Sequence, residues 1–254
     1  MTSITSTNTS LTDYVLHLAD NALILGHRNS EWCGHGPILE QDIAITNISL
    51  DLIGQARNLY QYAAVLLGNE STEDSLAYLR NPEDFKNCLL VEQPNGDWAA
   101  TILRQFFFST YQYLLYENLV TSQDPQLAAI AAKSLKEVTY HLRWSSEWVI
   151  RLGDGTDESH QRITSALQQQ WPLTDELTRP APYEARILDP STLKTNWLHK
   201  IQTVFDEAGL QINPDYTQDP AYGTPGKSGI HSLHLKEILD EMQVLPRTYP
   251  GTTW

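Results

Sequence analysis

The sequence predicts an all-α protein, a bundle of long helices followed by shorter ones. Three observations carry that reading. Long segments in the first two thirds of the chain repeat their apolar residues at spacings of three and four. No stretch of useful length alternates apolar and polar residues as a half-buried strand does, and no internal repeat is present. Pro and Gly gather between the periodic segments rather than inside them.

The elements follow in order. Met1 to Ser10 is Ser/Thr-rich, with neither a basic start nor an apolar run, and reads as a flexible leader rather than a signal peptide. Residues 11–27 set Leu11, Tyr14, Val15, Leu18, Ala22 and Leu25 on one helical face, and Gly34-His35-Gly36-Pro37 breaks the pattern. Residues 38–67 carry two apolar stripes. Ile45, Ile48, Leu52, Leu59, Ala63 and Leu66 form one; Ile43, Leu50, Ile53, Tyr60 and Leu67 form the other. A helix apolar on two sides is expected at the centre of a bundle. Short helical turns are expected at 75–79 and 82–87. A third long helix spans about 97–121 with its Phe106-Phe107-Phe108 run, and Asp124-Pro125 opens a fourth, with Pro in the first turn. There Ala131, Leu135, Val138, Leu142, Ser145, Val149 and Leu152 keep the spacing of a packed seam until Gly153-Asp154-Gly155. Helix is expected again at about 156–170, 191–208 and 232–245, the last ending before Pro246, with 209–230 irregular. The domain layout expected is a leader at 1–10, a four-helix core at 11–170 and a Pro-rich C-terminal extension at 171–254, whose two helices pack on the core.

Composition excludes several function classes. Seventeen Lys and Arg stand against 31 Asp and Glu, a net charge of −14. Such a chain is repelled by phosphate backbones and anionic lipid, so neither nucleic acid nor a membrane surface is an expected partner. Two cysteines, Cys33 and Cys88, build neither a disulfide framework nor a Cys-rich zinc site, and point to a reducing, cytoplasmic setting. No apolar run approaches the ~20 residues that span a bilayer.

Long bundles house carboxylate-bridged metals through paired Glu-x-x-His motifs, whose i, i+3 spacing aims both groups inward. None of the eight histidines has Glu three positions before it. The acidic match, Asp157-x-x-His160, lies beside a glycine loop. The near misses are Asp51-x-x-Gly54 on the second helix and Glu137-x-x-Tyr140 on the fourth, with His141 four positions after Glu137. Glu117 and Asp20 are the remaining candidate carboxylates. Asp51, Glu117, Glu137 and His141 together define the alternative reading, a metal-binding oxidase or oxygenase with a divergent site; solvent exposure or hydrogen bonding is the simpler role for each. Gly226-Lys227-Ser228 lacks the upstream glycine and strand of a phosphate loop. His231-x-x-His234, with Glu237 and Glu241 following, is most simply surface and cap. Cys33 near His35 is too local to form a nucleophilic triad. The aromatic residues at 106–116, with Trp144 and Trp148, belong in a core or a partner interface.

Several segments then fall together: Glu40-Gln41-Asp42-Ile43-Ala44 through Leu50-Asp51-Leu52-Ile53-Gly54-Gln55-Ala56-Arg57; Glu137 to Arg143; Arg151-Leu152-Gly153-Asp154-Gly155-Thr156; Gly226-Lys227-Ser228-Gly229-Ile230-His231; and Asp240 to Gly251. From about residue 11 to 254 the chain resembles the C subunits of bacterial phenylacetyl-CoA ring epoxidases. The resemblance implies a ferritin-like fold and a structural subunit without a working di-iron centre of its own. It also implies a catalytic A subunit as partner, carrying the two irons, with A–C pairs associating further. A reductase component with NADPH, flavin and iron–sulfur centres is implied as the electron source. No position matches a catalytic motif, so no catalytic, cofactor or metal residue is carried over. The aromatic excess on the third and fourth helices suits the partner interface.

Overall fold

A computed structural model describes residues 2–68, 70–213, 216 and 223–252. Helices dominate, and no strand occurs among the described residues. The long ones are α1 (Thr2–Ser30), α2 (Leu39–Leu67), α5 (Trp98–Leu119) and α6 (Pro125–Gly153). Shorter ones are α3 (Glu73–Tyr78), α4 (Leu89–Glu92), α7 (Asp157–Gln170), α8 (Asp175–Thr178), α9 (Lys194–Ala208), α10 (Leu233–Met242) and α11 (Val244–Thr248). The all-α class is therefore as expected, and its long-helix pairs are consistent with a ferritin-like bundle.

Two compact units divide the chain. The first holds Met1–Pro94, Ala181–Ile187 and Thr224–Trp254, and is built on the α1/α2 hairpin. The second holds Asn95–Pro180 and Leu188–Gly223, built on the α5/α6 hairpin with α7 and α9 packed on it. Chain beyond residue 170 thus contributes to both.

Local chemistry sets the helix ends. Asp97 and Asp124 cap α5 and α6 through the amides of Ala100 (2.9 Å) and Leu127 (2.8 Å). Thr156 and Ser159 exchange side-chain bonds in a capping box that starts α7. Three boundaries depart from expectation. Helix α1 begins at Thr2, since no Pro or Gly interrupts the Ser/Thr-rich stretch and their helix cost is modest. Pro246 lies inside α11, at a first-turn position whose amide needs no helical acceptor. Gly226–Ser228 form one turn of 3-10 helix within the stretch expected to be irregular; residues 214, 215 and 217–222 of that stretch lie outside the described residues.

Burial reverses the expected roles of the long helices. Helix α1 is buried nearly all round from Tyr14 to Gly26, and α5 from Thr101 to Gln112. The two-striped α2 instead buries one face. Ile45, Ile48, Leu52, Leu59 and Ala63 are inside, while Leu39, Ile43 and Leu50 are 72%, 52% and 61% exposed. Of the two places expected for the aromatic residues, core and partner interface, Phe106 and Phe107 take the core: both are fully buried, and between them they meet Trp171, Trp197 and Phe205 of their own unit at centroid distances of 5.8–6.2 Å. Those rings fill the second unit's core. Trp98 likewise meets Trp144 and Trp148 edge-on. At the α6 end, Gly153 lets α9 approach, because a Cβ there would lie 2.8 Å from that of Ala208.

Candidate functional site

Of the candidate residues, Asp51 lies on α2 in the first unit, and Glu117, Glu137 and His141 lie on α5 and α6 in the second. Glu117 is exposed and accepts a hydrogen bond from the Tyr113 hydroxyl at 2.6 Å. Glu137 is half-buried near the Tyr116 phenol, whose proton is held above its usual range by burial first and by the Glu137 charge among the lesser causes. His141 is buried, whereas Tyr140 points outward beneath the Arg143 guanidinium. Asp51 is half-buried on α2. Among the described residues, no three or more His, Cys, Asp or Glu are placed to share an ion. A donor set with one exposed, already bonded carboxylate does not fit a di-iron pair, which needs inward carboxylates and imidazoles together.

The other candidates are also accounted for. His160 lies 2.7 Å from the Gly153 carbonyl. His234 is partly exposed and meets Glu237 at 3.1 Å, while His231 turns inward to Glu92, so the His231/His234 pair diverges. The turn Gly226-Lys227-Ser228 carries a fully buried lysine that no phosphate loop would hide.

What the first unit does contain is three buried polar nodes. In the first, Asp20 of α1 accepts from the Tyr60 hydroxyl (2.6 Å), the Lys86 amide (2.8 Å) and the Arg80 guanidinium. Burial and the Asp20 charge raise the Tyr60 phenol well above its ordinary value, so it stays a donor. In the second, the Lys227 ammonium meets both oxygens of Glu184 at 2.9 and 3.1 Å, with both side chains inaccessible. Glu184 also accepts from the Ala181 amide at 2.7 Å, and His17 Nε2 lies 3.5 Å away. His17 Nδ1–H donates to the Lys86 carbonyl at 2.7 Å. Burial first, then the Lys227 charge, lower His17 to about 3, so its imidazole is neutral. In the third, Glu92 faces His231 Nδ1 (2.8 Å), the Ser232 amide (2.7 Å) and Asn87 (2.9 Å). His231 Nε2 meets the Phe85 carbonyl at 3.0 Å. Two acceptors on one ring call for the imidazolium. Burial alone lowers the His231 pKa, but the Glu92 hydrogen bond and charge outweigh it and leave the value raised.

The second and third nodes fasten the chain after residue 224, through Glu184 to the 181–187 segment and through Glu92 and Phe85 to the 85–92 segment. Arg28 adds bonds to the Glu92 and His234 carbonyls at 3.0 and 3.1 Å. Gln243 and Arg247 reach the Arg80 carbonyl at 3.0 and 2.9 Å. The motifs around Lys227 and Arg247 therefore do structural work. Their partners Glu184, Glu92 and Arg80 escaped the sequence analysis, although His17, Asp20 and Asn21 supplied a signal, a polar patch interrupting an apolar helix. No helix among the described residues is long and apolar enough to cross a membrane.

The family described as "Phenylacetic acid catabolic protein" matches residues 1–254. An Escherichia coli (strain K12) protein, named as the C subunit of 1,2-phenylacetyl-CoA epoxidase, is 47% identical over 250 residues, covering 96% of this chain and 99% of its own.

Proposed function

The chain belongs to the phenylacetic acid catabolic protein family, and from that membership we propose that it is the structural, non-catalytic subunit of a phenylacetyl-CoA ring-epoxidising oxygenase. It pairs with a catalytic A subunit that carries the di-iron centre, and the pairs associate further into a hetero-oligomer. Electrons reach the A subunit from a reductase component using NADPH, flavin and iron–sulfur centres. The assembly works in the cytoplasm.

One observation carries the pairing. The outer face of α2 places Leu39, Ile43 and Leu50 in solvent along one helical stripe. Exposed apolar stripes of this length mark interaction surfaces. An obligate interface of the size that joins two bundles would cover them. The role as a support rather than a catalyst is favoured by Glu117, which is exposed and already bonded to the Tyr113 hydroxyl, and the net charge of −14 favours a protein partner over a polyanion.

Co-expression with the A subunit of the same complex tests this directly. The pair should co-elute in size-exclusion chromatography and turn over phenylacetyl-CoA when the reductase is added. Ile43→Asp with Leu50→Asp should abolish co-elution while leaving the helical circular dichroism unchanged, since neither side chain is in the core. Two irons per chain, with turnover by this chain alone, would sink the proposal.

A further inference from the structure

Where α5 begins, the second unit brings an Asn-Gly pair, a hydroxyl and a buried guanidinium together. We propose that Asn95 is a self-modifying residue: the Gly96 nitrogen attacks its side-chain amide, and Arg104 and Thr101 activate the two reacting groups, so that the folded chain converts Asn95 to aspartate and isoaspartate.

Arg104 prepares the electrophile. Its guanidinium donates to Asn95 Oδ1, and since a guanidinium only donates, the atom facing it is the amide oxygen and not the nitrogen. Arg104 is fully buried, so its charge acts on that oxygen with little solvent screening. A cation on the carbonyl oxygen draws electron density from Cγ and stabilises the oxyanion that forms there when a nucleophile adds. Thr101 prepares the nucleophile. Its buried hydroxyl donates to the Asn95 backbone carbonyl at 3.0 Å and lies 3.5 Å from Oδ1. That carbonyl is conjugated with the Gly96 nitrogen. A donor on it therefore stabilises the anion left when the Gly96 N–H gives up its proton. Among the described residues the Gly96 amide donates to no backbone carbonyl.

The local backbone leaves room for the step. Gly96 has φ +59°, a left-handed turn conformation that favours glycine, and no side chain shields its nitrogen. It is exposed and lines an open cleft of about 570 Å³ between the start of α5 and α7, so water reaches the pair. Water is the only co-reactant. The Gly96 nitrogen loses its proton to solvent base and bonds to Asn95 Cγ. The Cγ–Nδ2 bond breaks, ammonia leaves with a proton, and a succinimide ring remains. Water then adds to the ring. Attack at Cγ releases the new bond and gives aspartate; attack at the backbone carbon gives isoaspartate, with the chain running through Cγ. Either product adds a carboxylate just ahead of the Asp97 cap, and isoaspartate also lengthens the backbone there by a methylene.

The test follows the full chain by peptide mass spectrometry in heavy-oxygen water, where conversion replaces the amide nitrogen of Asn95 with a labelled oxygen, and reads isoaspartate with an isoaspartyl methyltransferase. The same chain unfolded in guanidinium chloride gives the rate of the Asn-Gly pair without its neighbours. Neither rate depends on the proposed subunit role. The folded chain should convert Asn95 at least about tenfold faster than the unfolded one, the worth of a charged hydrogen bond to the oxyanion. Thr101→Val, which keeps the side-chain shape, should slow the folded rate several-fold, and Thr101→Ser should retain it. A smaller ratio of folded to unfolded rate overturns the inference, and a folded rate below the unfolded one shows that Arg104 and Thr101 lock the amide instead of activating it. A Thr101→Val chain that keeps its helical circular dichroism and converts at the parent rate also overturns it. Loss of helicity in Thr101→Val leaves the parent's ratio to decide.

Discussion

Replacing Lys227 by Met tests whether the chain after residue 224 is held by a buried charge pair. The ammonium lies 2.9 and 3.1 Å from the two oxygens of Glu184, and neither side chain reaches solvent. Met keeps the length and apolar stem but removes the ammonium from the Glu184 carboxylate, which also faces the Ala181 amide and a neutral imidazole 3.5 Å away. Removing one member of such a pair costs about 3–5 kcal/mol, because the surviving charge stays desolvated. For a chain of this size that is a fall of about 6–20 °C in Tm. His17 gives a second readout. Its pKa of about 3 owes most to burial and next to the Lys227 charge. Without that charge, and with the Glu184 carboxylate still beside Nε2, the imidazole should titrate well above 3, visible in its ring-proton NMR shifts. Glu184→Gln added to Lys227→Met removes the carboxylate charge and should recover part of the loss. A Tm within about 2 °C of the parent and an unmoved His17 would refute the reasoning.

Three further outcomes follow from the same geometry. Gly229 has φ +79° and its missing Cβ would strike the Glu83 carbonyl, so Gly229→Ala should cost at least about 1–2 kcal/mol in urea unfolding, the left-handed penalty alone. His17 is neutral when folded, at about 3 against 6.5 unfolded; the unfolded chain binds the extra proton, so stability should fall as the pH drops from 6.5 towards 3, by up to about 1.4 kcal/mol per pH unit, and His17→Gln should flatten that slope. His231 is raised above 6.5, so its contribution is complete below pH 6.5 and is lost as the pH rises through the folded value; amide exchange at Ser232 should speed up over that window, and a pH-independent rate would count against the ion pair.

Periodicity located α2, α5 and α6 to within a few residues but placed the start of α1 nine residues late, and Asp97 and Asp124 stand at the starts of α5 and α6 because capping is a local contest over backbone amides. The short α4 and α8 were missed, since four residues hold no period to detect. Which helix is buried was misread. Helix α2 looked central because it carries two apolar stripes, and α1 looked one-sided because His17, Asp20 and Asn21 interrupt it. Hydrophobic pattern reports what a face tolerates, not what covers it.

By itself the sequence determined the all-α class, the presence of the long helices and the lack of paired Glu-x-x-His motifs, because each depends on residues within a turn or two of one another. Only the tertiary structure decided that Lys227 answers Glu184, that His231 answers Glu92 and that Asp20 answers Arg80. Those partners are separated by 43, 139 and 60 positions. Charges so far apart in the chain select each other only after burial has removed water as the competing partner.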